Sequence, residues 1–430
     1  MAPATHSESP VLPARSLAVA AFSTIVEWYD FTLYLYFATV LSRVFYGGGS
    51  GSLLLTLGGF AIAYLMRPLG AVFFSHIGDR YGRRRMLLMS VALMTAAMLA
   101  TALLPTRAAA GPIAGWLLLA LRCVMGFSVG GEYTGVVAYL LEGAAKRRRG
   151  LVTSSASAAS EVGGLLAVGV SALTVSLMSG AELERWGWRI PFLVGAALAA
   201  SVWIARSTMH ESPEFRRQQD QGTVPEVPLR HALANHRSGI ARGFSISALG
   251  SITYYVGITY VPAFLTSVGR LSESDSLWLS TIAAVAVIAV TPLTGGLSDR
   301  IGRKPVLVAL CLGSAALPIT MFSLMASSVH WQALSGAVIL AMLAGAVSAV
   351  GAVATAEQFP GEGRITGLAL GATMATAIFG GFTPLAAQWL VERTGWATAP
   401  GIMIAAVGLC VLPVMLGLRE TAPDAIAKRL

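Results

Sequence analysis

Runs of roughly 20 predominantly apolar residues recur about twelve times in this chain of 430 residues. A helix of that length matches the hydrocarbon thickness of a bilayer, so the recurrence constrains the fold more than any other feature. The runs are Leu17–Leu41, Leu53–Ile77, Met86–Leu104, Pro112–Leu141, Leu151–Leu177 and Trp188–Ile204. After a polar stretch from Arg206 to Ser238 come Ile240–Ser267, Leu277–Leu297, Val306–Met325, Trp331–Glu357, Ile365–Leu390 and Pro400–Leu418. Hydrophobic residues make up 55% and charged residues only 12%, against about 25% charged in a soluble domain. A water-soluble globule could not hide that much apolar surface, and a disordered chain is excluded by the same excess. The runs are continuous instead of alternating, which argues against an outer-membrane barrel. An all-α polytopic membrane protein of twelve transmembrane helices, in two six-helix bundles, is the reading that survives.

The net charge of +9 would suggest nucleic acid only if it formed a soluble basic face. Here the basic residues sit in short clusters between apolar runs, so they report topology. Of the 30 Lys and Arg, six (Arg43, Arg107, Arg185, Arg189, Arg270, Arg393) fall on one side. Two (Arg67, Arg122) fall inside helices, and the rest lie on the side holding both termini. The positive-inside bias makes that side cytoplasmic. Cys123, Cys311 and Cys410 lie far apart inside apolar runs and read as small buried hydrophobes. The first run contains Glu27 and Asp30 and no cleavage pattern, so it stays as a helix instead of a signal peptide. The expected organisation is a tail over 1–16, a six-helix bundle over 17–205, a cytoplasmic linker over 206–238, a second bundle over 239–418 and a tail over 419–430. Both tails read as disordered.

The halves repeat. Gly78-Asp79-Arg80-Tyr81-Gly82-Arg83-Arg84 stands between helices 2 and 3, and Ser298-Asp299-Arg300-Ile301-Gly302-Arg303-Lys304 between helices 8 and 9. Glu142 and Arg149 between helices 4 and 5 are spaced as Glu357 and Arg364 are between helices 10 and 11. Matching loops at matching places argue for duplication of a six-helix unit. Such repeats characterise secondary transporters whose site lies between the halves.

The duplicated D-R-x-G-R-R/K loop resembles that of the major facilitator superfamily, over essentially the whole helical region. Five further motifs narrow the likeness: Glu27-Trp28-Tyr29-Asp30-Phe31, Arg67-Pro68-Leu69-Gly70, Arg122-x-x-x-Gly126-x-x-x-Gly130-Gly131-Glu132-Tyr133, Gly187-Trp188-Arg189-Ile190-Pro191-Phe192, and Glu211-Ser212-Pro213-Glu214-Phe215. In this order they resemble the metabolite:proton symporters, whose members carry citrate, α-ketoglutarate, shikimate, proline or glycine betaine. The helix 4 stretch, with Thr253-Tyr254-Tyr255 and Thr259-Tyr260 before Pro262, is most similar to the proline/betaine branch. Two departures stand out. No long heptad-patterned extension follows helix 12, and Glu161 occupies a place in helix 5 where the resemblance implies an apolar residue. The resemblance implies a multi-pass protein of the bacterial inner membrane, working as a monomer, with the proton as coupling ion and no other cofactor.

Charges at mid-bilayer are costly and mark cavities or proton paths. Glu27, Asp30 and Tyr34 share one face of helix 1. They form either a packed seam or a cavity face with a titrating carboxylate. Arg122 offers a planar fork that could grip a substrate carboxylate, hold Asp30 or Glu132 ionised, or serve a purely structural pair. The resemblance places it in a motif linked to proton coupling. Glu161 either neutralises Arg122 or Arg67 or stands protonated. The C-terminal half offers Tyr254, Tyr255 and Tyr260 at matching depth, without charge. Asp79, Arg80, Arg83, Glu142 and Arg149, with Asp299, Arg300, Arg303, Glu357 and Arg364, are the expected cytoplasmic gate, with Gly82 and Gly302 at the turns.

The Gly/Ser-rich stretch from Gly47 to Ser52 lacks the ending of a phosphate loop. No catalytic set and no metal-ligand spacing occur, so the expectation is a transporter and no enzyme. The expected activity is proton-coupled uptake of a small carboxylate-bearing metabolite, either a zwitterion or a mono- or dicarboxylic acid. A citrate-type symporter and a proton-coupled exporter of cations are the alternatives.

Overall fold

The computed structural model describes residues 12–48, 52–226, 228–271, 273–327, 329–359 and 362–427. Residues 1–11 and 428–430 of the expected tails, and 49–51 of the Gly/Ser-rich stretch, lie outside them. The first crossing, α1, is Ala14–Tyr36 and continues after Phe37 as Ala38–Tyr46. Then follow α2 (Ser52–Tyr81), α3 (Arg83–Ala102) and α4, which runs Ile113–Val129 and, past a turn at Gly130-Gly131, Glu132–Gly143. The first half closes with α5 (Arg149–Leu177) and α6 (Arg189–Ser207). In the second half α7 is Arg237–Tyr254, a π-helical turn Tyr255–Thr259, and Val261–Ser267. It is followed by α8 (Glu273–Ile301), α9 (Arg303–Met325) and α10 (His330–Ala356). The crossing α11 is the most broken, with Arg364–Leu368, a π turn Ala369–Thr373, Met374–Phe379 and then Thr383–Thr394. The last is α12 (Ala399–Leu416).

Nine helices among the described residues, α4 taken across its Gly130-Gly131 turn, are long and apolar enough to cross a membrane. The other three crossings, α1, α7 and α11, are interrupted as well. In α7 the break has a cause in the sequence. Pro262 has no N–H to give, and the backbone N–H of Tyr260 reaches back five residues to the Tyr255 carbonyl at 2.9 Å. In α11 the Gly380-Gly381 pair and Pro384 separate the last two pieces. Interrupted helices at membrane depth belong where they face a cavity, because freed backbone groups need partners that lipid cannot give.

Each half has its own core. Tyr29, Leu33, Met94, Trp188 and Phe192 fill the first, and Ile252, Phe264, Phe322 and Leu340 the second. A third cluster joins the halves at the Arg-rich end, with Phe74, Met86 and Tyr139 packed together with Val353, Phe359 and Ile365. Large apolar side chains such as Leu177, Leu293 and Trp116 point outward. In lipid that costs nothing, because acyl chains are as apolar as Leu.

Three boundaries differ from expectation. Arg206, read as the start of the linker, is in the last turn of α6 and fully buried. The linker itself holds two short helices, Pro213–Gln221 and Pro228–Asn235. The tails are ordered where described. Leu12 is buried and donates its N–H to the Gly143 carbonyl at 3.1 Å, and Pro423–Ala427 is helical. Polarity and shortness suggest disorder only when no partner exists for the backbone. Here partners are supplied by the ends of neighbouring helices.

Candidate functional site: a central cavity and a closed gate

A cavity of about 170 Å³ lies between the halves. On the same measure one water needs roughly 10–15 Å³, so the space suits a solute of about ten to fifteen non-hydrogen atoms. The first half contributes Glu27, Trp28, Tyr64, Arg67, Tyr133 and Glu161, and the second Tyr254, Tyr255 and small residues of α7, α10 and α11. The Arg67 guanidinium is stacked against Tyr64 at 4.7 Å and Phe31 at 5.0 Å. It faces Glu27 at 3.8 Å, which is beyond hydrogen-bond length. The halves touch across the cavity: the Tyr64 and Tyr255 hydroxyls lie 2.6 Å apart, and Trp28 meets Tyr254 edge-on with centroids 5.2 Å apart.

A side pocket of about 40 Å³ adjoins it, sharing Glu27, Tyr64, Arg67 and Val129. It is room for roughly three waters. Asp30 and Arg122 form its far wall, joined at 2.8 Å, and Asp30 Oδ1 is buried without a partner. Arg122 also lies over the Tyr34 ring at 5.3 Å, while the Tyr34 hydroxyl donates to the Thr56 carbonyl at 3.0 Å. Close packing of α2 on α4 sets this up. A Cβ on Gly126 would strike the Ala63 carbonyl, and one on Gly130 the Arg67 carbonyl. Both arginines are thereby held at neighbouring depths.

Glu132 is placed elsewhere. It is fully buried and bound by Arg206, with Ser90 donating to it as well. Arg206 also donates to Ser23 and to the Leu87 carbonyl. The expectation that Glu132 shares the cavity with Asp30 and Arg122 is therefore corrected. Its charge is consumed by an arginine that the sequence reading assigned to the linker, and it lines neither pocket.

At the Arg-rich end the halves are clasped twice. Asp79 of α2 accepts from the Thr366 N–H and hydroxyl, both at 2.8 Å, and from the Ile365 N–H at 3.3 Å, at the start of α11. Asp299 of α8 accepts from the Gly150 and Leu151 N–H groups, both at 2.9 Å, at the start of α5. Each carboxylate thus sits on the positive end of a helix from the other half. Arg83 holds Asp79 at 3.3 Å and Glu142 at 3.2 Å, and Arg303 holds Asp299 at 2.6 Å and Glu357 at 3.3 Å. Arg364 crosses to Glu142 at 2.9 Å. This end is closed.

Residues 17–224 match the family model described as sugar (and other) transporter, and residues 244–429 the model described as major facilitator superfamily. A proline/betaine transporter of Salmonella typhimurium is 30% identical over 95% of this chain and 84% of its own length. A citrate-proton symporter of Klebsiella pneumoniae is 31% identical over 94% of each. This chain belongs to the major facilitator superfamily, among its metabolite:proton symporters. The fold agrees: the proton:xylose symporter XylE superposes with a TM-score of 0.79 at 20% identity, covering 95% of this chain and 96% of that one. The protein is accordingly a polytopic membrane transporter and no enzyme.

Within this transporter the duplicated loops do not behave as exact copies. Arg80 is exposed and donates to the Glu226 carbonyl of the linker, and Arg300 is exposed at the helix end, so neither belongs to the clasp. Arg149 has its Nε buried without a partner, as does Glu357 its Oε1. The crossing that Arg364 makes to Glu142 has no counterpart between Arg149 and Glu357. Two further acids serve this end without having been expected in the gate. Glu211 accepts from the Arg83 and Arg84 N–H groups, and Glu420 from those of Arg303 and Lys304. Both cap the helices that begin after Gly82 (φ 107°) and Gly302 (φ 114°). The signal was present: Glu211-Ser212 and Glu420-Thr421 each follow the last helix of a half.

Proposed function

We propose that the protein takes up a small carboxylate-bearing metabolite together with protons across the bacterial inner membrane, by alternating access, as a monomer surrounded by lipid. The substrate class is a zwitterionic osmolyte or a mono- or dicarboxylic acid. The proton is the coupling ion and no other cofactor takes part. One observation carries the reading: the substrate-sized cavity and the Asp30–Arg122 pocket share Glu27 and Arg67 as a common wall. A solute carboxylate arriving at Arg67 draws that cation away from Glu27, and the freed acid face of α1 takes the proton. The closed clasp marks the Arg-rich, cytoplasmic end, and rocking of the halves opens it.

The test is whole-cell uptake at pH 6 of labelled proline, glycine betaine, α-ketoglutarate, citrate and shikimate, each with and without a protonophore. Accumulation of at least one that collapses with the protonophore is expected. Asp30→Asn should lose accumulation yet keep solute exchange. Accumulation unaffected by the protonophore, or an Asp30→Asn variant that concentrates solute normally, would overturn the reading.

A further inference from the structure

We infer that Glu161 selects for a cationic nitrogen, so that the solute is a zwitterion with its carboxylate at Arg67 and its ammonium or quaternary nitrogen at Glu161. The inference rests on the symport reading above and narrows its substrate class.

Leaving out the clasp residues Asp79, Arg83 and Glu142, the helices of the first half enclose four acids and three arginines. Three acids have their own arginine: Asp30 has Arg122, Glu132 has Arg206 and Glu27 has Arg67. Glu161 is buried in α5 and forms no ion pair among the described residues. Its partner is the hydroxyl of Tyr254, from the other half. An uncompensated buried carboxylate is costly, and a helix of Gly, Ala and Ser offers it nothing in return. Its place on the cavity wall makes it accessible to a counter-charge brought by the solute.

The surroundings favour an alkylated nitrogen. Trp28, Tyr133, Tyr254 and Tyr255 line the same cavity, with Tyr254 and Tyr255 at 5.5 Å between centroids. Trp28 Nε1 is buried without a partner and donates only, which suits an anionic group near the nitrogen. Aromatic faces within about 6 Å attract such cations and tolerate their methyl groups.

Charge balance points the same way. Glu27, Asp30 and Glu161 against Arg67 and Arg122 leave the empty site with one net negative charge. One cotransported proton brings it to neutrality, and a zwitterion leaves it neutral. A dicarboxylate would instead leave two net negative charges beside Glu161 in a low-dielectric space. One further proton, on Glu161 itself, would remove only one of them.

The test compares glycine betaine with 3,3-dimethylbutanoate, its neutral-carbon isostere, for binding to the purified full-length transporter in nanodiscs. Wild type should bind the betaine at least tenfold more tightly. Glu161→Gln should lose that preference, Glu161→Asp should keep most of it, and Tyr254→Phe should weaken it. The wild-type comparison stands even where a variant fails to fold. Equal binding of both probes by wild type overturns the inference, as does a Glu161→Gln protein that keeps the preference. So does one that binds betaine normally but no longer accumulates it, since Glu161 would then be a proton carrier. Protonophore-sensitive accumulation of α-ketoglutarate or citrate without any zwitterion would sink the inference and leave the symport reading standing. Protonophore-insensitive flux would sink the symport reading instead.

Discussion

Asp79→Asn is the perturbation that isolates the clasp. In the closed form the Asp79 carboxylate is fully buried, and it accepts three hydrogen bonds from the start of α11 while facing Arg83. With the Arg-rich end open, the carboxylate faces water and loses none of its own stabilisation. The substitution therefore acts on the closed state alone. Asn keeps one acceptor oxygen but turns an NH₂ toward backbone N–H groups. One charge-assisted bond is worth about 1.5–3 kcal/mol, and a carboxylate at a partly buried helix N-terminus up to about 2 kcal/mol. These overlap, so about 2–4 kcal/mol of closed-state preference should vanish, a shift of roughly 30- to 1000-fold. The readout is labelling of a cysteine placed at Thr355, on the α10 wall of the cavity, by an impermeant thiol reagent applied from the Arg-rich side. Cys123, Cys311 and Cys410 are replaced beforehand. Labelling should accelerate at least tenfold in Asp79→Asn, and comparably in Asp299→Asn. Arg80→Gln, at an exposed position, should change nothing. An Asp79→Asn rate within twofold of the parent, or an equal effect from Arg80→Gln, would refute the reasoning.

Two further outcomes are expected. Arg206→Met alone should destabilise the protein in detergent by about 3–5 kcal/mol, because it strands the buried Glu132 carboxylate. The double variant with Glu132→Gln should recover most of the loss and still transport, and failure to recover would mean the pair does more than neutralise itself. Glu211, outside the membrane-spanning segments, has its carboxyl raised above the ordinary 4.5, chiefly by burial. A raised folded-state pKa favours the protonated form on folding. The stability it contributes is therefore fully present below pH 4.5 and lost as pH rises through the raised value. Glu211→Gln should flatten the fall of Tm with pH over that window, and an unchanged slope would assign it to other groups.

Much of this was legible in the sequence, for reasons that differ by residue. The crossings could be counted because bilayer thickness fixes helix length. The clasp could be named because Asp79, Arg83 and Glu142 recur as Asp299, Arg303 and Glu357, and a loop motif carries its geometry in a few consecutive residues. The pairing of buried charges was not legible. Helices in lipid are apolar all round, so periodicity does not report rotation. Glu132 could therefore be set facing Asp30 or away from it with equal ease. The choice was made by Arg206, just past the apparent end of an apolar run. Arg67 was visible as a charge within a helix, but only the contact of α2 with α4 sets it at the depth of Arg122, where it faces Glu27. The π turn of α7, which aims Tyr254 and Tyr255 inward, follows from Pro262 only once the tertiary neighbours are known.

The two halves share their clasp but divide the chemistry. Every buried charge within the helices around the two pockets comes from the first half, and the second supplies aromatic and small residues. Such a division has a mechanical consequence. A bound zwitterion is satisfied by charges of the first half alone, so its effect on the second half is carried by the aromatic contacts. Here the solute that neutralises Glu161 and Arg67 must also displace or fit the contacts Trp28–Tyr254 and Tyr64–Tyr255, which cross between the halves. Filling the site therefore acts on the joint itself. The clasp adds an asymmetry. The Arg364–Glu142 crossing holds one side, while Arg149 and Glu357 leave the equivalent crossing unmade. Among the described residues the α5–α8 side has no buried crossing of that kind: it is held by Asp299, by an exposed Arg147–Asp424 pair at 3.2 Å and by packing so close that a Cβ on Gly150 would strike the Gly295 carbonyl. Opening therefore breaks a buried ion pair on the α2–α11 side and parts close helix packing on the α5–α8 side.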